Sequence, residues 1–281
     1  MLINFILCVG ILVLLYLLII MPKLSYHPDR DKFDSWFYAH RGLHDNQSKA
    51  PENSLASFRE AVINHYGIEM DVQLTKDGVP VIHHDYDLMR SCGVDYKVSE
   101  LTYEKLSDYR LFKSQEKIPT LEEALAVVNG KVPLIIELKI PWDARPLCTK
   151  VSDILKGYKG LYCIESFNPF GLMWYRKHEP KVMRGQLSTD FIKEKIEGSR
   201  MQYFILKHLL MNFLTKPDFI AYQHFYRKSL SLTLCRTLYR TQTFAWTIQS
   251  QSELEDNKNY FDLFIFENFM PKQDKKSCGN S

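Results

Sequence analysis

The sequence is poor in the features that mark several large protein classes. Its cysteines carry no pattern: beyond the first 21 residues they are Cys92, Cys148, Cys163, Cys235 and Cys278, an odd set at scattered spacings. Such a set points to neither a disulfide framework nor a zinc motif, and it fits a reducing compartment. No basic run or stripe is present and the net charge is only +3, so nucleic acid is not an expected partner. That mild positive balance is compatible with an anionic lipid surface. There is no internal repeat, no low-complexity stretch after residue 35, and no glycine-rich phosphate fingerprint of the kind that opens a dinucleotide-binding fold.

Charge is also missing from residues 2–21, where Asn4 is the one strongly polar side chain. At ~1.5 Å per residue such a stretch spans roughly the 30 Å of a bilayer core. It lacks the basic leader, the shorter apolar run and the small-x-small site of a cleavable signal peptide. Residues 1–21 are therefore expected to form an uncleaved transmembrane anchor, the alternative being a buried core helix. Lys23, Arg30 and Lys32 follow this stretch and no Lys or Arg precedes it, so the positive-inside rule predicts a single-pass protein with its C-terminal domain on the cytoplasmic side.

After it, residues 22–35 carry two prolines and mixed charges and read as a linker. Residues 36–271 form the main domain, a usual size for one (β/α)8 barrel. Short apolar runs occur at 36–40, 68–74, 132–138, 161–167, 182–187, 218–222, 243–248 and 261–266, and helical patterns such as 54–65, 120–128, 143–156 and 169–178 lie between many of them. Near-continuous apolar strands separated by helices imply a parallel sheet, and eight of them imply closure; an open doubly wound sheet is the alternative. The expected fold is thus an α/β TIM barrel preceded by one transmembrane helix. A ninth run, 80–85, comes after the second through Thr75-Lys76-Asp77-Gly78-Val79. Asp-Gly is a two-residue hairpin signal, so 68–85 is expected to be a hairpin on strand 2. Residues 90–118 are expected to form a small insertion, and 272–281 a polar tail.

With Asp77 and Gly78 as the two turn residues, Asp71 lies opposite His84 and Glu69 opposite Tyr86. Directly opposed side chains sit ~4.5–5.5 Å apart at Cβ, and Glu69 and Asp71 share a face by strand alternation. Two carboxylates in an apolar strand are costly to bury unless they bind something, and hard divalent cations favour carboxylate oxygens. Glu137 and Lys139 repeat the two-apart pattern at the end of another strand, where charged groups in a barrel are usually functional. The bland alternatives are a solvated hairpin and a local ion pair. Ahead of them stands His40-Arg41-Gly42: an imidazole able to move a proton near neutrality, a planar fork suited to phosphate oxygens, and a residue that permits a sharp turn.

These motifs, His40-Arg41-Gly42, Pro51-Glu52-Asn53-Ser54, Glu69-Met70-Asp71, Lys76-Asp77-Gly78, His83-His84-Asp85, Glu137-Leu138-Lys139, Ser166-Phe167 and Trp246-Thr247, stand in the order and spacing of the glycerophosphodiester phosphodiesterase family, which the chain resembles over residues 36–271. The resemblance implies His40 and His84 as the acid–base pair. It implies Glu69, Asp71 and Glu137 as ligands of Mg²⁺ or Ca²⁺, Arg41 and Lys139 as phosphate contacts, and Glu52 as a carboxylate near the metal. His83 competes with His84, but the family's histidine directly precedes an aspartate, and alternation would turn His83 away from Asp71. The family usually closes on a Thr-Asp-x-Pro-like segment; here the chain reads Phe266-Glu267-Asn268-Phe269-Met270-Pro271, the aspartate is absent, and the catalytic set is drawn without that end.

The implied reaction is metal-dependent hydrolysis of a glycerophosphodiester to glycerol 3-phosphate and an alcohol. One histidine deprotonates water or a neighbouring glycerol hydroxyl, and the other protonates the leaving group. Phe167 and Trp246 are candidates for an apolar wall beside that group, or for core packing. A lysophospholipase D acting on membrane lysophospholipids is the first alternative, and an inactive lipid- or partner-binding barrel the second. Residues 201–214, strongly apolar, are read as a helix packed on the barrel wall, with a bilayer-resting segment as the other possibility.

Overall fold

The structure, a computed structural model, describes residues 1–196 and 198–272; most of the expected tail lies outside the described residues. Eight parallel strands close into a barrel: β1 (Phe37–Ala39), β2 (Gly67–Leu74), β4 (Leu134–Leu138), β5 (Tyr162–Ser166), β6 (Arg184–Ser188), β7 (Phe219–Gln223), β8 (Gln242–Ile248) and β9 (Leu263–Phe266). β1 pairs with both β2 and β9, which completes the ring. Around it run α2 (Leu55–Ile63), α3 (Leu121–Val128), α4 (Ala144–Leu155), α5 (Pro169–His178), α6 (Arg200–Lys207), α7 (Asn212–Thr215), α8 (Leu230–Thr237) and α9 (Gln251–Asn257). Several of these helices open on residues that supply an orphan backbone donor with an acceptor. Ser54, Thr120 and Ser250 each accept a bond from the backbone N–H three residues on.

Period-two alternation divides the strands, except at the end of β8, where the register shifts between Ala245 and Ile248. On β2, Ile68, Met70 and Val72 join the apolar layer between barrel and helices, whereas Glu69 and Asp71 point inward. Inside the barrel, Phe33, Tyr38, Ile135, Cys163, Phe219, Phe244 and Ile265 form a separate core. The stretch 22–35 connects helix α1 (Leu2–Ile20) to β1 and also closes the floor. Phe33 is fully buried there, and Asp34 accepts a hydrogen bond from Gln242. The described cysteines are all unpaired.

The hairpin differs in register from the expected one. β3 (Pro80–Ile82) pairs with β2 as Val72 with Ile82, Gln73 with Val81 and Leu74 with Pro80, and the N–H of His83 donates to the carbonyl of Asp71. Asp71 therefore lies opposite His83, one residue from the expected pairing with His84, and the expected Glu69–Tyr86 pairing is absent. The cause is the turn. Of Asp77 and Gly78 only Gly78 has positive φ (+77°), so a two-residue type I′ turn does not form. Instead Lys76, Asp77 and Gly78 make a three-residue loop. Thr75 accepts from the N–H of Gly78 at its carbonyl and from the N–H of Val79 at its Oγ1. The odd loop shifts every later residue by one. β3 ends at Ile82, the His83 N–H makes the last bond to β2, and the side chains of His83 and His84 are oriented by loop contacts.

The stretch after β3 carries its own apolar cluster, in which Leu88, Val98, Leu106, Leu111 and Ile118 are buried together against Val81 of β3. Arg90, within it, reaches back to the mouth of the barrel.

Candidate active site

The mouth of a parallel barrel is built from the residues at the C-terminal end of each strand and the loops beyond them. Immediately after β1, Arg41 (φ +55°) and Gly42 (φ +82°) turn the chain sharply. A Cβ on Gly42 would lie 2.4 Å from Ser57 Oγ, so the turn requires glycine there. This turn aims the Arg41 N–H at Glu69 Oε2 (2.9 Å) and places the His40 ring beside the same carboxylate, with Nε2 3.9 Å from Glu69 Oε2. On the neighbouring strands Asp71 is in register with Glu137, and Glu137 with Glu165. Oxygen atoms of Glu69, Asp71 and Glu137 all lie within 4.8 Å of one another, and all three residues are buried. Lys139 Nζ is 3.1 Å from Glu137 and 3.6 Å from Asp71; Arg41 Nε is 3.5 Å from Asp71.

His40, Arg41, Glu69, His84, Glu137 and Glu165 line one cavity of about 180 Å³, closed on the other side by Phe167, Trp246 and Leu187. The Phe167 and Trp246 rings meet edge to face at 5.6 Å. Each histidine has one ring nitrogen committed outside the cluster. His40 Nδ1 pairs with Glu267 Oε2 at 2.7 Å, and His84 Nδ1 with Asp85 Oδ1 at 2.6 Å. In both rings Nε2 is the nitrogen left for the cavity. His83 is buried away from it, bonded to Ser91 Oγ and the carbonyl of Asp85. Glu52 is held by both nitrogens of the Arg90 fork, by Arg41 Nη1 (2.7 Å) and by Asn46. It braces Arg41, and its oxygens are already engaged.

The charges follow from this packing. Burial pushes the Glu69 carboxyl well above its usual range, and Asp71, Glu137 and Glu165 push the same way. Burial and the Asp71 charge also raise Glu137, although Lys139 and His84 oppose them. Burial raises Glu165 too, and its Oε2 has no hydrogen-bond partner. Asp71 is the exception: burial is outweighed by His84, Lys139, Arg41 and the Asn53 amide (2.8 Å), which hold it well below the carboxylate range. Burial, then the Arg41 charge, lowers His40 to about 4 against the pull of Glu267. The Glu267 carboxyl, raised by burial, is drawn down by His40 to about 2. Such a cluster suits a hard divalent cation. Four buried carboxylates face two cationic side chains, one carboxylate oxygen is orphaned, and every donor is an oxygen.

Two of these groups escape a reading of the sequence alone. Glu165 lies inside an apolar run and is flagged only by being a buried-strand carboxylate, as Glu137 is. Glu267 lies four residues before Pro271, whereas the Thr-Asp-x-Pro-like segment of the resembled family places its aspartate two before the proline. Its signal is position: it directly follows the last strand, next to β1, where its backbone neighbour Phe266 accepts the His40 N–H.

Known proteins resemble this chain both in sequence and in fold. The model of the glycerophosphoryl diester phosphodiesterase family matches residues 40–256. The mouse lysophospholipase D GDPD1 is 34% identical over 163 residues, covering 53% of this chain and 50% of that protein. The human glycerophosphodiester phosphodiesterase 1 is 38% identical over 112 residues, covering 36% of this chain and 33% of that protein. These matches thus span half or less of those curated relatives. A phosphodiesterase of Oleispira antarctica, solved in complex with the product sn-glycerol-3-phosphate, superposes with a TM-score of 0.65 at 25% identity, covering 83% of this chain and 92% of that one. The glycerophosphodiester phosphodiesterase of Thermotoga maritima superposes with a TM-score of 0.61 at 26% identity, covering 82% and 94%. The chain belongs to the glycerophosphoryl diester phosphodiesterase family.

Proposed function

We propose that this protein hydrolyses glycerophosphodiesters to glycerol 3-phosphate and an alcohol, with His40 and His84 as the acid–base pair. The observation that carries this reading is the single cavity lined by both imidazoles and by acidic groups too crowded to remain ionised alone. The relative crystallised with sn-glycerol-3-phosphate supports the product. Glu69, Asp71 and Glu137 would hold Mg²⁺ or Ca²⁺, which would neutralise charge on the non-bridging phosphate oxygens. Arg41, braced by Glu52, and Lys139 would contact those oxygens directly.

His40 is neutral near pH 7, because its pKa lies at about 4. With Nδ1–H donated to Glu267, its Nε2 lone pair is free to take the proton of the nucleophile. His84, oriented by Asp85, would give a proton to the leaving alcohol. Asp85 is itself fixed by Arg90 Nε at 2.6 Å. Phe167 and Trp246 would flank the leaving group and keep water from it.

Helix α1 is long and apolar enough to cross a membrane. We read it as a single-pass anchor, with the barrel on the side favoured by Lys23, Arg30 and Lys32, the cytoplasmic one. That anchor and the aromatic wall favour a second substrate class, lysophospholipids cleaved in lysophospholipase D fashion, as the mouse relative is named. The test is a panel: glycerophosphocholine and a lysophosphatidylcholine, each untreated, with EDTA, and with EDTA and then excess Mg²⁺ or Ca²⁺. The reading expects cleavage of at least one, abolished by EDTA and restored by metal. Cleavage indifferent to EDTA, or none of either substrate, would remove it.

A further inference from the structure

Helix α1 is not a free tether, and the way it meets the barrel sets which end of the barrel faces the lipid. Its last residues lie along the outer wall beside α7 and α8. The carbonyl of Ile20 accepts from Asn212 Nδ2 at 2.9 Å and from Cys235 Sγ, and the carbonyl of Leu17 accepts from Tyr239. Beyond the helix, Met21 accepts from Lys216 Nζ, and Lys23 pairs with Asp218 at 2.7 Å, just before β7 begins. The chain therefore runs floor-ward as it leaves α1. In the opposite direction, Tyr16 lies beside Ser231, in the first turn of α8. Ser231 is at mouth level: its Oγ and the Tyr222 hydroxyl, at the end of β7, both reach the carbonyl of Lys207. Residues 2–15, exposed throughout, thus project past the mouth of the barrel and not past its floor.

Length then decides how close the mouth must come. Residues 2–15 supply about 21 Å of helix at ~1.5 Å per residue, short of the roughly 30 Å hydrocarbon core, whereas all of α1 supplies about 28 Å. For α1 to cross, the wall-packed turn must also enter the membrane boundary, and the rim beside it is drawn into the headgroup layer. That rim is dressed for it. Ile192, Phe204, Phe225 and Leu230 are 50%, 49%, 67% and 63% exposed, interspersed with exposed Lys193 and Lys228. Apolar side chains with flanking lysines are what an interfacial segment presents to lipid.

We propose that residues 190–196 after β6, helix α6 and residues 224–230 after β7 form a membrane-docking rim that seats the mouth of the barrel on the same bilayer that α1 spans, so that a diester carried by a lipid enters the cavity from the membrane side. This rests on reading α1 as a membrane span, and the experiment separates the two. The full chain, with Cys8, Cys92 and Cys278 replaced by serine, is labelled with an environment-sensitive fluorophore at one of Leu12→Cys, Ile192→Cys, Phe225→Cys or Lys181→Cys. Each is reconstituted in phosphatidylcholine–phosphatidylglycerol vesicles carrying nitroxides on the acyl chain or the headgroup. The expected result is acyl-chain quenching at residue 12, and headgroup quenching at 192 and 225 about two-fold or more above that at floor residue 181. Quenching at 12 with the rim no more quenched than 181 overturns the rim while the anchor stands. No quenching at 12 removes the anchor and the rim together.

Discussion

At the floor of the barrel, Tyr38, Phe219 and Phe244 stack with ring centroids 6.2 Å and 4.2 Å apart, and Phe33 covers them from below. A few residues further along the same ring of strands, Glu69, Asp71, Glu137 and Glu165 crowd into a volume that holds two cationic side chains. The floor contributes stability through buried area and aromatic packing. The mouth does the opposite, because like charges in a buried site repel and resist ionisation. Function in such a barrel is therefore to be sought at the end where packing has been given up for charge.

That contrast can be broken by exchanging effects between the two ends. The largest is expected at the mouth. His40→Ala and His84→Ala should each lower kcat by about 10²–10⁴-fold with an unchanged melting temperature, whereas Phe219→Ala should cost about 3–5 kcal/mol of stability and leave the turnover of the folded fraction intact. Activity assays paired with denaturant unfolding would read both; a floor variant that loses turnover, or a histidine variant that unfolds, would blur the division. Smaller, and sharper for the mechanism, is Glu267→Gln. The amide keeps the size and a polar atom near His40 Nδ1 but loses the charge. It should lower kcat by about ten-fold with little change in KM, as expected of a group that orients a base without touching substrate. A change confined to KM would point to a substrate contact instead.

The smallest effect is on stability. Glu69, Glu137 and Glu165 have pKa values raised above those of the unfolded chain. The unfolded chain releases these protons first, so their contribution is present at low pH and lost as pH rises through the folded values. His40 has the opposite sign, but with a folded value of about 4 its contribution changes only below its unfolded value of about 6.5. The lowered carboxylates, Asp71, Glu52 and Asp85, change lower still. Above about pH 6.5, where His40 no longer changes, the metal-free protein should therefore lose melting temperature as pH rises through the folded values of these acids, and excess Mg²⁺ or Ca²⁺ should flatten the slope. A melting temperature that rises over this window without metal would contradict the crowding of the acids.

Much of this architecture is legible in the residues. Apolar runs alternating with helical patterns give the barrel, because buried parallel strands need no polar face. The acidic residues two apart in such a run give the cluster, because alternation forces them inward together. The hairpin register is not legible from Asp77-Gly78 alone, since Thr75 Oγ1 replaces a backbone acceptor and admits a third loop residue. His84 nonetheless reaches the cavity, through Asp85 and Arg90 and not through strand pairing. Nor is Glu267 legible from the Thr-Asp-x-Pro-like motif, because it stands two residues ahead of the place that motif gives its aspartate and reaches His40 only through the pairing of the last strand with β1. The stretch before β1 reads as a linker by composition, and only Phe33 hints that it caps the floor.

The most direct test of the two-histidine, three-carboxylate site is a crystal structure of the protein grown with Mn²⁺ and glycerol 3-phosphate, with anomalous data locating the cation. The expected result is one anomalous peak within coordinating distance of Glu69, Asp71 and Glu137, with the phosphate lying between the Nε2 atoms of His40 and His84. A cation bound elsewhere, or a phosphate reached by neither imidazole, would contradict it.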